Sequence, residues 1–195
     1  MIDWDDAFDN SSYIQGSEKL YSILLQKSAA FRKEVKEDGF SQVDLRYSEK
    51  ERCIFDFFRA KRNPETVIIF IHGGYWHQLS KSHWSHLAYA AYKNELGFAI
   101  PSYSLAPNVS LAEITEEIAV FIEFLSHQVS SRFVLIGHSA GGHLVTRMNC
   151  KSSNLQEKIR DRISKTISVS GIYDLQPILS TKLNEVLGID FGLAK

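Results

Sequence analysis

Two short segments of this 195-residue chain carry residue types that can transfer an acyl group. Gly137-His138-Ser139-Ala140-Gly141-Gly142 sets a serine between glycines at G-x-S-x-G spacing. It stands after the apolar stretch 133–136 and before a helix-like stretch at 141–148. In that context the serine occupies a strained strand-to-helix turn that lifts its hydroxyl clear of the sheet. The flanking glycines are required by crowding, since side chains there would meet neighbouring backbone. The start of the following helix also favours negative charge. The second segment, His72-Gly73-Gly74-Tyr75-Trp76, follows the apolar run Thr66–Ile71. Paired glycines let main-chain N–H groups turn inward and approach a substrate closely. Each such donor, aimed at the oxygen of an attacked carbonyl, lowers the barrier by roughly 3 kcal/mol. Either segment alone also reads as a tight glycine turn. Together, each behind its own buried strand, they point to a serine nucleophile facing an oxyanion site.

The surrounding pattern supplies the elements that must position these segments. A helix is predicted over 18–36 from apolar residues at 3-to-4 spacing. Strands at 43–47 and 53–58, joined by the charged turn Ser48-Glu49-Lys50-Glu51-Arg52, read as a hairpin. Thr66–Ile71 is apolar on both faces and β-branched, as in a strand buried inside a parallel sheet. A helix at 82–95 leads to a strand at 98–100. Residues 112–128 form an amphipathic helix with Ile114, Ile118, Phe121, Ile122 and Leu125 on one face. The Glu113/Glu116/Glu117 run reads as its solvated face. Strands at 133–136 and Ile163–Val169 and the helix at 141–148 complete the alternation. The result is one α/β domain, 1–195, with a mostly parallel sheet and helices on both faces.

Composition excludes several classes. The chain is 44% hydrophobic, and 22 basic against 23 acidic residues leave a net charge of −1. A balanced charge gives no footprint for nucleic acid or an anionic membrane surface. Two cysteines, Cys53 and Cys150, do not make a disulfide framework and read as reduced thiols. The acidic start is unlike a signal peptide, and the densest apolar run, 67–71, is far short of a membrane span. A cytoplasmic protein acting on a small molecule is expected. His72, His77, His83 and His86 lie close in sequence, but Glu95 is the only acid between Gly73 and Ala112, so no metal site and no cofactor are expected. His127 and His138 read as structural. His72 is placed to hold the glycine loop by hydrogen bonding. Tyr75, Trp76, Trp84 and Tyr103 read equally as walls for an aryl substrate or as packing.

These residues resemble a known family. His72-Gly73-Gly74-Tyr75-Trp76, Tyr103-Ser104-Leu105-Ala106-Pro107 and Gly137-His138-Ser139-Ala140-Gly141-Gly142-His143-Leu144 look like the kynurenine formamidase (arylformamidase) group of the α/β-hydrolase superfamily. So do Trp4-Asp5-Asp6-Ala7-Phe8-Asp9-Asn10 and Ser170-Gly171-Ile172-Tyr173-Asp174-Leu175. The resemblance implies that Ser139 is the nucleophile. It implies that the N–H groups of Gly74, Tyr75 and Ala140, with Gly73 as a further donor, form the oxyanion hole. It further implies cleavage of N-formylkynurenine to kynurenine and formate. A carboxylesterase for small acyl or aryl esters is the alternative the same motifs allow.

A serine hydrolase also needs a base and an acid, in this fold in the chain order Ser, Asp or Glu, His. His143 is the only histidine after Ser139. It sits one helical turn on and is expected to point away, in a structural role. No catalytic histidine is therefore identified in the chain. Among the later acids, Asp174 follows a strand and is the acid candidate, with a turn or helix cap as its other reading. Six strand candidates stand where the fold usually has eight, so the last two strand–helix units are expected to be missing from a truncated chain. The last strand is then an apolar edge open to association, and a homodimer is one outcome. Without its base the chain is also readable as a catalytically inactive, hydrolase-like binding protein.

Overall fold

The computed structural model describes residues 2–36, 39–59 and 62–194. Met1 and Lys195, the outermost residues of segments read from sequence, lie outside them. The strands are β1 (Gln42–Arg46), β2 (Ile54–Phe58), β3 (Thr66–Ile71), β4 (Gly97–Pro101), β5 (Arg132–His138) and β6 (Ile163–Val169). The helices are α1 (Trp4–Phe8), α2 (Ser17–Val35), α3 (Ala88–Lys93), α4 (Leu111–Gln128), α5 (Ala140–Arg147), α6 (Glu157–Arg160) and α7 (Leu183–Leu187).

Among the described residues the sheet has six strands in the order β1-β2-β4-β3-β5-β6. β1, β2 and β4 run antiparallel, while β3 is parallel to both β4 and β5, and β5 to β6. The two-faced apolar run β3 thus lies inside the parallel part, because both of its faces are covered. One face packs on α4, whose Ile114, Ile118, Phe121, Ile122 and Leu125 are wholly buried against Ile69, Ile71 and Leu135. The other face carries Phe70, Phe98 and Ile100 against Phe31 and Val35 of α2. Each such side chain contributes roughly 1.5–3 kcal/mol by leaving water. A capping box, Ser110 with Glu113, starts α4, satisfying amide groups the helix leaves unpaired. This is the α/β-hydrolase fold. Among the described residues no helix is long and apolar enough to cross a membrane.

Three elements differ from the sequence reading. The helix expected at 82–95 breaks into 3-10 turns at Lys81–His83 and Ser85–Leu87 before α3. Lys81 is drawn inward, its ammonium 2.6 Å from buried Asp56 and 2.7 Å from Asp44. The Ser85 hydroxyl also donates to Asp56. These side-chain bonds to β1 and β2 outweigh regular helix. The apolar pattern after Leu183 yields only α7, ended by Gly188 in the left-handed region (φ 60°). Glu117 is buried rather than solvated. It accepts from the Ser104 N–H at 2.7 Å and from the Lys50 ammonium at 2.8 Å. Lys50 and Arg52 come from the charged hairpin turn. Arg52 donates to the carbonyls of Tyr103 (2.9 Å) and Leu79 (2.7 Å), so that turn clamps the loops that follow β3 and β4.

Candidate active site

Ser139 stands between β5 and α5 with φ 54° and ψ −121°, a conformation that costs a non-glycine residue about 1–3 kcal/mol. The neighbours over-determine it. A Cβ on Gly137 would lie 2.0 Å from the Gly141 carbonyl oxygen, and one on Gly141 2.0 Å from that of Ile71. The bend is therefore pressed against its own helix on one side and against the end of β3 on the other. The Ser139 N–H donates to Val169 on β6 at 2.9 Å. The bend is thus fastened to both neighbouring strands.

The loop after β3 leans on this bend. A Cβ on Gly73 would lie 2.7 Å from the His138 oxygen and 3.0 Å from the Ser139 Cβ. Gly74, Tyr75 and Trp76 follow in left-handed backbone, at φ 108°, 45° and 58°. The Gly74 carbonyl turns back to accept from His77 (3.0 Å) and Gln78 (2.9 Å). Among the described residues the N–H groups of Gly73, Gly74, Tyr75 and Ala140 donate to no other group of the chain. Such uncommitted donors are what an oxyanion site requires.

His72 explains how the loop is held. It is wholly buried, its ring stacked on Tyr103 with centroids 4.3 Å apart. Burial pushes its pKa down to about 3, so the ring is neutral at pH 7. Its Nδ1 lies 2.7 Å from the Gly73 oxygen. A carbonyl only accepts, so Nδ1 carries the proton. The Tyr103 hydroxyl in turn donates to the His72 carbonyl at 2.8 Å.

Ser139 opens into a cavity of about 820 Å³, within the range of small-molecule sites. Gly74, Tyr75, Trp84, His138, Ser170 and Ile172 line it on the sheet side, and Asp6, Asp9, Tyr13, Leu20, Tyr21 and Leu24 form the opposite wall. That wall was not assigned from sequence. The only signal for it was the similarity of residues 4–10 to the formamidase group, since the segment has no strong period. Its N-terminal end is tied down at two points. The Tyr75 hydroxyl donates to the Phe8 carbonyl at 2.9 Å, and Asp5 accepts from the Lys182 N–H at 2.7 Å.

Other expected residues lie elsewhere. Trp76 and Tyr103 are wholly buried and do not line the cavity, which corrects their reading as pocket walls. Both are core packing that supports the loops, and of the four aromatics read from the sequence it is Tyr75 and Trp84 that line the cavity, beside Tyr13 and Tyr21. Asp174 is exposed and accepts from the Gln176 N–H at 3.0 Å, the geometry of a turn. It lies outside the Ser139 cavity, and this corrects it as acid candidate. His143 packs edge-on against Trp76, and burial with Arg147 nearby lowers its pKa to about 4. It lines a separate cavity of about 500 Å³ with Glu116, Arg147 and Tyr173. Among the described residues no histidine nitrogen is hydrogen-bonded to the Ser139 hydroxyl, and no group of three His, Cys, Asp or Glu could hold a metal.

Residues 56–186 match the BD-FAE family model. A kynurenine formamidase of Danio rerio is 34% identical over 151 residues, covering 74% of this chain and 50% of that protein. The chain thus spans about half the length of that relative. The crystal structure of a candidate thioesterase from Silicibacter sp. TM1040 is 36% identical, with a TM-score of 0.94, and the match covers all of this chain and 73% of that one. Thermogutta terrifontis esterase 2 phosphorylated by paraoxon shares the fold at 16% identity and TM-score 0.61, covering 82% of this chain and 65% of its own.

Proposed function

The chain belongs to the BD-FAE family, and from that premise we propose that it forms the nucleophile-bearing part of a serine hydrolase for formamide or aryl-amide bonds. The substrate this reading favours is N-formylkynurenine, in keeping with the relative named kynurenine formamidase. The observation that carries it is the contact of the strained Ser139 bend with the Gly73–Tyr75 loop, whose Gly74 and Tyr75 line the same cavity as Ser139.

In this reading the Ser139 oxygen bonds to the formyl carbon while its proton passes to a general base. The carbonyl oxygen becomes an oxyanion held by the amides of Gly74, Tyr75 and Ala140, with Gly73 beside them. The carbon–nitrogen bond then breaks and the arylamine leaves with a proton. Its lone pair is shared with the ring, so it departs more readily than an alkyl amine. Water attacks the formyl-serine ester, and formate leaves. No cofactor takes part.

Turnover of N-formylkynurenine against p-nitrophenyl acetate tests the substrate class, with hydrolysis of the ester alone rejecting the formamidase. A second reading, a hydrolase-like protein that binds without turnover, is favoured by the Ser139 hydroxyl having no base among the described residues. A fluorophosphonate probe separates the two. An activated Ser139 is labelled and Ser139→Ala is not, whereas absence of labelling supports the binding protein.

A further inference from the structure

We infer that Tyr75 is a positioning residue whose phenol, latched to residues 8–10, holds its own amide and that of Gly74 toward Ser139. The inference rests on the hydrolase reading above. Tyr75 and Trp76 are consecutive non-glycine residues in left-handed backbone, and such a run persists only when its surroundings hold it. The inner hold is Trp76, wholly buried, its carbonyl accepting from Ala106 at 3.0 Å. The outer hold is the phenol. It donates to the Phe8 carbonyl at 2.9 Å and accepts from the Asn10 amide at 3.4 Å.

Residues 8–10 are fixed well enough to serve as an anchor. The Phe8 side chain packs against the main core, and the Asp9 N–H donates to Asp6 at 3.1 Å. Asp5 is bound to Lys182. The two donors of the loop are therefore held from inside by an indole and from outside by a hydroxyl that reaches a segment 67 residues away. The wall of the cavity and the oxyanion loop form one hydrogen-bonded unit.

Tyr75→Phe tests this in the full chain, because it removes the hydroxyl and keeps the ring. Two measurements are made, the rate of Ser139 labelling by a fluorophosphonate over a range of probe concentrations, and hydrogen exchange at the His77 and Gln78 amides, which bond within the loop. Loss of one such hydrogen bond is expected to lower the maximal labelling rate about tenfold, with half-saturation unchanged within about twofold, and to speed exchange about tenfold. Asn10→Ala, at an exposed residue with the longer bond, should give the same pattern at about twofold, and the double variant should be no slower than Tyr75→Phe. Should Tyr75→Phe not fold, Asn10→Ala decides alone. Unchanged rate or unchanged exchange overturns the inference, as does an effect confined to half-saturation. Wild-type chain that does not label, or Ser139→Ala that still does, overturns the hydrolase reading and the positioning role with it. Labelling of wild type and Tyr75→Phe at one rate overturns the positioning role only.

Discussion

The two sides of the Ser139 cavity are built by different means. On the sheet side the shape is set by main chain. Glycines at 137 and 141 leave no space for one methyl group, and the bend is fastened to β3 and β6. The opposite wall is set by side chains of residues 6–24 that keep much of their surface in water, with Tyr13 71% and Tyr21 45% exposed. Its bonds are individual hydrogen bonds rather than close packing. Main-chain crowding fixes one geometry and tolerates no substitution, whereas a wall of exposed side chains can change composition while the fold stays intact. On the hydrolase reading proposed above, reactivity and selectivity are thus assigned to materials of different tolerance.

The sharpest way to break this contrast is Gly141→Ala. The added Cβ meets two carbonyl oxygens, at 2.0 and 2.6 Å, so a loss of about 4 kcal/mol or more in urea unfolding is expected. A chain of wild-type stability would show that the bend is not crowded at all. Glu117→Ala removes the anchor of the loop after β4 and leaves the Ser104 N–H unpaired. About 1–3 kcal/mol should be lost, with labelling of Ser139 retained.

Acid probes the same side through His72. Folded, it titrates at about 3, against 6.5 for an ordinary histidine. The unfolded chain therefore takes up this proton first as pH falls. Stability from this group is complete above pH 6.5 and declines below it, until the folded ring also protonates. At pH 5 the loss is about 2 kcal/mol. Unfolding curves from pH 7.5 to 4.5 should show that decline added to the one from His143, and His72→Gln should lessen it while leaving the part owed to His143. The smallest effect belongs to the wall. Tyr13→Ala should change stability by no more than about 0.5 kcal/mol, while altering the ranking of aryl and alkyl substrates in a competition assay. A loss comparable to that at Gly141 would erase the distinction between the two sides.

What was legible in the sequence follows the same division. β3 could be read because burial on both faces makes it apolar throughout, and α4 because burial of one face imposes a period on residue type. The 137–142 and 72–76 segments could be read because glycine is demanded by space, and space is what the structure has least of there. Aromatic type did not separate wall from packing. Trp76 and Tyr103 proved to be core, while Trp84 and Tyr75 reach the cavity. A glutamate on a helix gave no sign of facing inward, because the partners that satisfy Glu117 lie on distant loops. The Lys81–Asp56 pair was invisible for the same reason, and with it the break in the helix expected at 82–95. Residues 2–16 carry no period because they lie across the surface of other elements.

The bond between Asp5 and the Lys182 amide joins positions 177 residues apart. On a ribosome, Asp5 emerges long before position 182, so this tie forms only after the elements between the two have been made, well after the one to Tyr75. Contacts of such separation are slow to form and leave partly built chains open to misassembly. A nascent chain stalled before position 182 would already own the serine and its glycines, yet would lack this second tie on the cavity wall. The two ties of this wall, to Tyr75 and to Lys182, are therefore made in succession, the second after the Ser139 bend has been synthesised.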